Sequence, residues 1–214
     1  MRRVTKTPET DLPGLAFWNR VADRYAARPV RDAAAYEATL ADVAARLSPT
    51  DRVLEIGCGT GTTALRLGGQ VAEWCATDAS PEMIRIARSK CAPPGVSFAV
   101  AAADQADDST AFDAVCAFHI LHLVPDLDRT LARLRARLRP GGLFISKTWC
   151  FGDVGWRLRL VIPVLRRFGL FPPARALTAH ELHRAILAAG FEIEAGRTFG
   201  PHPHAPFIVA RRSH

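Results

Sequence analysis

Residues 52–67 read RVLEIGCGTGTTALRL, and this stretch decides the fold. Arg52–Ile56 shows the apolar pattern of a short buried strand, and Thr62–Leu67 shows the pattern of a helix. Between them lies a loop with three glycines, which tolerate positive φ angles and let a ligand approach the backbone closely. The order of strand, glycine loop and helix therefore predicts a ligand-binding loop at the start of an α/β sheet.

The same alternation of strands and helices continues on both sides of this stretch. Further strands are predicted over Val71–Thr77, Val96–Ala101, Phe112–Phe118, Leu143–Thr148, Phe191–Thr198 and Ala205–Arg211. Helices are predicted over Leu15–Ala27, Asp32–Leu47, Asp126–Leu138 and Ala179–Ala189, and from Pro81 to Lys90 behind the N-cap Ser80. This spacing predicts a parallel sheet whose ligand site lies beyond the carboxyl ends of the strands.

The composition is typical of one globular domain, because 49% of the 214 residues are hydrophobic and 23% are charged. No apolar run approaches the roughly 20 residues of a membrane-spanning helix, and the first residues lack a signal peptide's apolar stretch, so a cytoplasmic location is expected.

Five cysteines without a CxxC pair are expected to be reduced, mostly structural thiols. No metal site is predicted, because the histidine pairs His180/His183 and His202/His204 lack a completing ligand pattern.

The net charge of +7 arises in the second half of the chain, where residues 108–214 hold 15 Lys and Arg against 8 Asp and Glu. Only three of the 28 basic residues are lysine, so a genomic bias towards arginine explains the excess as readily as a nucleic-acid surface does. Charge alone therefore does not predict nucleic-acid binding.

The glycine loop is compatible with a dinucleotide cofactor as well. Gly59, Gly61 and Ala64 fit the pattern G-x-G-x-x-A, and Asp78 follows Gly59 by 19 residues, close to the spacing of a ribose-binding carboxylate. An NAD-linked oxidoreductase is therefore one alternative that the loop leaves open.

Several segments together match a different family. They are VLEIGCGTGT at Val53–Thr62, Asp78–Ala87, Asp104, FDAV at Phe112–Val115 and RPGG at Arg139–Gly142. In this order and spacing they resemble the class I S-adenosylmethionine (SAM) dependent methyltransferase family, over residues 50–150. The resemblance implies an α/β fold, a Rossmann-like three-layer α/β/α sandwich with a mostly parallel seven-stranded sheet and a C-terminal antiparallel strand. It implies one domain over residues 1–214, with a helical cap at 1–48, a SAM-binding core at 50–150, a substrate lid at 151–178 and a C-terminal helix with strands at 179–214.

The resemblance also implies SAM as cofactor, S-adenosylhomocysteine as product, and a set of binding residues. These are Glu55, Gly57, Cys58, Gly59, Gly61 and Thr62 in the loop under the methionine part, Asp78 and Ala79 at the ribose, Met83, Asp104 and Gln105 at the adenine, and His119 at the cofactor's edge. Each has a structural alternative: Glu55 anchors the loop, Met83 belongs to the helix core, and Asp104 is part of an acidic surface loop.

Methyl transfer requires no nucleophile on the protein, since positioning of the acceptor supplies much of the rate enhancement. A hydroxyl acceptor benefits from a general base, for which His119 and His122 are candidates by location and Tyr25 is another. The alternative for His122 is a helix-face residue without a role. By similarity to the family, Trp18, Tyr25 and Tyr36 in the cap are candidates to line the acceptor pocket.

Residues 155–171 combine apolar residues with four arginines, a pattern that suits a substrate lid or an interfacial helix in peripheral contact with anionic lipid. A packed crossover helix with a solvated basic edge, kinked at Pro163, is the alternative.

The predicted function is methyl transfer from SAM to a small-molecule partner such as a quinone, a lipid or another metabolite. RNA or protein methylation is an alternative, but the sequence after the fourth strand, Phe118–Leu121, lacks the Pro-Pro motif of such enzymes. A non-catalytic SAM-binding protein is a further alternative.

Overall fold

Among the residues that the structure describes, seven strands form one sheet, and seven α-helices and one short 3-10 turn connect or flank them. The computed structural model describes Leu12, residues 14–104 and residues 111–213. The strands are β1 (Arg52–Ile56), β2 (Glu73–Asp78), β3 (Val96–Val100), β4 (Phe112–Phe118), β5 (Leu138–Lys147), β6 (Phe191–Arg197) and β7 (Phe207–Arg212). The helices are α1 (Leu15–Ala26), α2 (Ala33–Ala44), α3 (Thr62–Leu67), α4 (Pro81–Arg88), α5 (Leu127–Arg137), α6 (Trp156–Arg167) and α7 (Ala179–Ala188).

The strand order is β3-β2-β1-β4-β5-β7-β6, and β7 is antiparallel to both of its neighbours. The remaining neighbours pair in parallel, so the predicted fold class is confirmed. The chain leaves β1 towards one edge and returns at β4 to build the other half. Since ligands of such sheets bind where the strand order reverses, the carboxyl ends of β1 and β4 mark the expected site. The hairpin of β6 and β7 differs from the order 3-2-1-4-5-6 of dinucleotide-binding sheets.

Alternating side chains along the central strands build a core on each face of the sheet. One core packs against α5 and α7 and includes Leu54, Val115, Ala117, Phe144 and Ile208. The other packs against α2, α3 and α4 and includes Val53, Ala114, Cys116, Ile145 and Val209. The result is the three-layer sandwich that the sequence predicts.

The first helix lies outside this sandwich and packs on α4. Ala22 of α1 forms a small apolar cluster with Met83 and Ile86, and Trp18 packs against it. The Ser80 hydroxyl accepts a hydrogen bond from the Met83 N–H at 3.2 Å and caps α4, as predicted. The same hydroxyl donates to the Asn19 Oδ1 atom at 2.6 Å, so α1 is joined to the cap of α4.

Only β1 and β4 match their predicted ranges at both ends: β2, β3, β6 and β7 differ by one or two residues at an end, and β5 begins five residues early. β5 begins at Leu138 rather than Leu143, because Leu138 pairs with Phe112 and Arg139–Gly142 lies inside the strand, where the pairing register shifts. β2 begins at Glu73 rather than Val71, because its pairing with β1 starts at Glu73, opposite Arg52. Both depend on pairing between distant residues, which local sequence does not encode.

The segment with four arginines forms one helix, α6, with Pro163 inside it. None of the helices that the structure describes has the length and apolar character needed to cross a membrane. The five cysteines are all free thiols.

Candidate functional site

A cavity opens at the carboxyl ends of β1, β2 and β4, beneath α1. It brings together eight of the predicted site residues: Tyr25, Gly57, Gly59, Asp78, Ala79, Met83, Asp104 and His119. Trp18 also lines it, as predicted for the cap. Glu55, Cys58, Gly61, Thr62 and His122 do not line this cavity, and Gln105 lies outside the residues that the structure describes.

The loop glycines differ in what surrounds them. A Cβ atom at Gly57 would lie 2.6 Å from Ile120, and one at Gly61 would lie 2.7 Å from the Phe98 ring. At Gly59, with φ +55°, the nearest atom to such a Cβ is Tyr25 Cε1 at 3.9 Å. Gly57 and Gly61 therefore allow the loop to pack, whereas Gly59 keeps a space that a side chain would fill.

Two hydrogen bonds to backbone carbonyl groups hold the loop in this shape. The Cys58 N–H donates to the Thr77 carbonyl at 2.9 Å, and the Lys90 ammonium donates to the Thr60 carbonyl at 2.6 Å. Thr62 is the first residue of α3 and its side chain is exposed. Cys58, Gly61 and Thr62 thus have structural places in the loop, and their predicted contact with a cofactor stays a prediction.

Asp78, the last residue of β2, connects the loop to α4. Its Oδ2 atom accepts from the Gly59 N–H and its Oδ1 atom accepts from the Ser80 N–H, both at 2.8 Å. Burial raises the pKa of this carboxyl, and the two N–H donors oppose the rise by favouring the charged form. Each carboxylate oxygen retains a second lone pair, so Asp78 can accept from two neighbouring hydroxyls such as those of a ribose.

Glu55 lies below the loop rather than in the cavity. Its carboxyl is buried and accepts a hydrogen bond from Trp74 Nε1 at 2.9 Å. Burial raises the pKa of Glu55 to about 8, although hydrogen bonds from Trp74, Ala64 and Thr63 act in the opposite direction. This geometry favours the anchoring role, and cofactor binding by Glu55 stays a prediction.

Met83 and Asp104 lie in the cavity wall at the proposed adenine side. Met83 has 2% of its surface exposed, so it serves both as core of the α1 and α4 contact and as cavity wall. The Asp104 carboxylate lies 3.6 Å from the Arg129 guanidinium, which holds it at the rim. An oxygen of this carboxylate can still accept a further hydrogen bond.

His119 follows β4 and has a left-handed backbone, with φ 56°. Its N–H donates to the Lys147 carbonyl at 2.6 Å, and its ring lies 5.9 Å from the Trp149 ring at an angle of 32°. The His119 side chain is exposed to the open cavity, yet the surrounding protein atoms limit its solvation and so lower the pKa of His119, and the Lys147 ammonium lowers this pKa further. The imidazole is therefore neutral at physiological pH and can accept a hydrogen bond in the cavity.

His122 is buried away from the cavity lining and packs against Phe151, with 5.3 Å between the ring centres. Its Nδ1 atom has no hydrogen-bond partner among the residues that the structure describes, and burial lowers the pKa of His122 to about 3. Nothing in this geometry supports the predicted catalytic role, which stays a prediction. Tyr36 packs against the core under α2, so it too is absent from the cavity lining.

Sequence reasoning missed an aromatic row that starts at the cavity with His119 and continues through rings that do not themselves line the cavity. From His119 it continues to Trp149, then to Phe151 at 6.1 Å and on to Phe171 at 5.2 Å. Trp149 comes two residues after β5, and the rule that sites lie beyond carboxyl ends of strands would have pointed to it. In the part of the chain that the structure describes, no three metal-binding side chains come together.

Comparison with known families gives one match over most of the chain. The family described as "Methyltransferase domain" matches residues 24–195. The biotin biosynthesis bifunctional protein of Bordetella avium is 37% identical over 130 residues, which are 58% of this chain and 28% of that protein. The ubiquinone biosynthesis O-methyltransferase of Xanthomonas axonopodis pv. citri is 37% identical over 113 residues, which are 49% of this chain and 46% of that protein. The chain thus spans less than half the length of both relatives.

Solved structures with the same fold are more distant in sequence. A SAM-dependent methyltransferase from Thermotoga maritima superposes with a TM-score of 0.71 at 22% identity, covering 92% of this chain and 99% of that one. Magnesium protoporphyrin IX methyltransferase from Synechocystis PCC 6803, solved with bound S-adenosylhomocysteine, gives 0.68 at 20% identity and covers 94% of each chain. At these identities the similarity establishes the fold.

Gly59→Ala is expected to weaken SAM binding about tenfold or more, because its methyl group enters the space above the loop. The left-handed backbone makes the same change cost about 1–2 kcal/mol of stability. Gly141→Ala is the matched control, since Gly141 also has positive φ, at +75°, and nothing lies within 4 Å of a Cβ there. Calorimetric titration with SAM measures the difference, and equal affinities of the two variants would contradict the assignment of Gly59.

Glu55→Gln is expected to flatten the dependence of stability on pH. Because the pKa of Glu55 is raised from 4.5 to about 8, the folded protein keeps a proton that the unfolded chain loses. The stability that this group contributes is therefore complete below pH 4.5 and is lost as the pH rises towards 8. Urea unfolding should show the wild type losing up to about 1.4 kcal/mol for each pH unit in this range relative to the variant. Parallel profiles for the two proteins would refute a protonated Glu55.

Proposed function

This chain belongs to the class I SAM-dependent methyltransferase family, as its sequence predicts, and on that premise we propose that it transfers a methyl group from SAM to a small-molecule acceptor. The family matches residues 24–195, which include every residue that lines the cavity except Leu12, Leu15 and Trp18. One observation carries the proposal: the Asp78 carboxylate and the space above Gly59 face the same cavity. The antiparallel β7 strand and the family match both disfavour the NAD alternative.

The residues present fit SAM. Gly59 leaves the space that its methionine part requires, and Asp78 offers free acceptor sites to the ribose hydroxyls. Met83 gives an apolar surface for the adenine, and Asp104 gives an acceptor at the rim. S-adenosylhomocysteine, the product, would occupy the same positions.

The acceptor side of the cavity favours a small planar molecule. His119 lines the cavity and lies against Trp149, which begins the aromatic row. Aromatic rings contact planar ligands over a large apolar area. One relative is named for ubiquinone biosynthesis and the other for biotin biosynthesis, and an acceptor of the quinol or phenol type is consistent with the first name and with the aromatic row behind His119. The aromatic row behind His119 and the names of these relatives thus support a small acceptor rather than an RNA or protein chain.

When bound, SAM supplies a methyl group that is already activated by its positively charged sulfur. Trp18 and Tyr25, whose rings meet edge to face at 5.9 Å, cover the cavity and limit the access of water. Holding an acceptor at a fixed distance and angle contributes several kcal/mol to lowering the barrier, at about 7–11 kcal/mol in the most favourable cases.

His119 is placed to orient a hydroxyl acceptor. Its neutral ring can accept a hydrogen bond from that hydroxyl, but its lowered pKa makes it a weak base. We therefore assign His119 to orienting the acceptor and not to acting as the general base that removes the acceptor's proton. Tyr25 contributes as cover, since partial burial and the nearby Asp78 charge raise the pKa of its phenol and keep it protonated.

Trp149→Ala is expected to raise KM for a phenolic or quinol acceptor roughly three- to tenfold and to leave the Kd of SAM unchanged, because the ring contacts His119 and not the glycine loop. Trp149→Phe, which keeps an aromatic surface, should recover most of the loss. The measurement is the rate of S-adenosylhomocysteine formation over a panel of phenols, quinols and amines.

Two results would contradict this assignment. An unchanged KM in Trp149→Ala would show that the aromatic row does not belong to the acceptor site. Tight SAM binding without product formation from any acceptor in the panel would instead indicate a non-catalytic SAM-binding protein.

A further inference from the structure

Helix α6 exposes an apolar row on its outward side. Trp156, Leu160, Val164 and Phe168 follow one another at intervals of four residues and are 68%, 65%, 54% and 73% exposed. Residues spaced by four lie on one face of a helix, so these side chains form a continuous strip. Ile162, on the opposite side, is only 7% exposed and faces the protein.

This arrangement reverses the usual polarity of a surface helix, which keeps its polar residues outward. Val161 of α6 is also exposed, at 47%, and Leu170, three residues after the end of the helix, is 67% exposed. A contiguous apolar patch on a protein surface marks a site of interaction rather than a folding requirement. The outward side of α6 therefore has the character of an interaction surface.

The charges around the apolar row identify what covers it. Residues 154–180 contain five arginines and no aspartate or glutamate. Arg157 and Arg167 are exposed within the same outward side, and the Arg157 guanidinium lies 5.4 Å from the Trp156 ring centre. An apolar strip among arginines, with a tryptophan at one end, is complementary to a surface with anionic headgroups above acyl chains.

We propose that α6 docks this protein onto an anionic lipid bilayer, lying in the plane of the membrane surface. A helix of 12 residues is about 18 Å long, which suits interfacial binding and is too short to cross the hydrocarbon core. A second copy of this chain fits less well, because pairing two such faces would place arginines against arginines without an acidic partner.

The docked helix is connected to the cap of the cavity. The Arg20 guanidinium of α1 donates to the Gly169 carbonyl, just after α6, at 2.8 Å. Gly14, at the start of α1, lies so close to Pro173 that a Cβ there would be 3.0 Å from its ring. Membrane docking would thus hold the cavity's cover beside the bilayer, where apolar acceptors dissolve. The docking itself does not depend on the proposed methyl transfer.

Co-sedimentation with vesicles of phosphatidylglycerol mixed with phosphatidylcholine tests the proposal. The wild type should bind these vesicles and should bind pure phosphatidylcholine at least about tenfold more weakly, since the arginines require anionic headgroups. Leu160→Glu and Phe168→Glu should abolish binding. Leu187→Glu is the matched control, because Leu187 is a 54% exposed leucine on α7, and it should bind like the wild type.

The contribution of the arginines to vesicle binding is tested with separate variants. Arg157→Gln and Arg167→Gln should each weaken vesicle binding about fivefold, and added salt should weaken it further. Trp156 fluorescence should shift to the blue on vesicle binding in the wild type and remain unchanged in Leu160→Glu.

Three outcomes would overturn the proposal: equal binding of Leu160→Glu and the wild type, equal loss in Leu187→Glu, or a wild-type dimer that Leu160→Glu dissociates without any vesicle binding. SAM titration in the absence of lipid, with the same variants, verifies that they are folded. It also separates a failure of docking from a failure of the proposed methyl transfer.

Discussion

The pair of hydrogen bonds to Asp78 is the interaction on which the site depends. The carboxylate closes the end of β2, the Gly59 N–H comes from the loop after β1, and the Ser80 N–H comes from the cap of α4. The loop after β1, which lies 19 residues away in sequence, is thus joined to the turn between β2 and α4 through one charged group. The protein stabilises this buried charge with backbone donors and leaves lone pairs facing the cavity, where a ribose can use them. A second carboxyl, Glu55, lies below the same loop, and its raised pKa keeps its charge out of the site at neutral pH.

The outer helices extend this centre to the surface. Asn19 accepts from the Ser80 hydroxyl, so α1 is attached to the same cap that donates to Asp78. One residue further along α1, Arg20 contacts the segment after α6. The cofactor loop, the cover of the cavity and the exposed apolar row are therefore connected by direct contacts. Because of these contacts, we expect binding at one of these three places to affect the other two.

Local sequence predicted the parts of the fold that local chemistry determines. The strand β1, the loop glycines and the Ser80 cap follow from apolar pattern, backbone freedom and a hydroxyl at the right position, and all three are found where predicted. The predicted start of β5 was wrong because Leu138 joins the strand only through pairing with Phe112. Sequence position placed His119 and His122 equally near the site, but packing turned His122 towards Phe151 and brought Trp149 to His119 instead. Which of two neighbouring residues reaches the site depends on tertiary packing, and a local sequence pattern does not predict it.

Calorimetric titration of wild type, Asp78→Asn and Asp113→Asn with SAM and with NAD tests the central claim most directly. Asp113 is the control, because it also accepts from a backbone N–H, that of Arg52 at 2.7 Å, yet does not line the cavity. The proposed site requires SAM to bind the wild type and Asp113→Asn alike, and Asp78→Asn about a hundredfold more weakly. Binding of NAD in place of SAM, or equal SAM affinity in all three proteins, would contradict it.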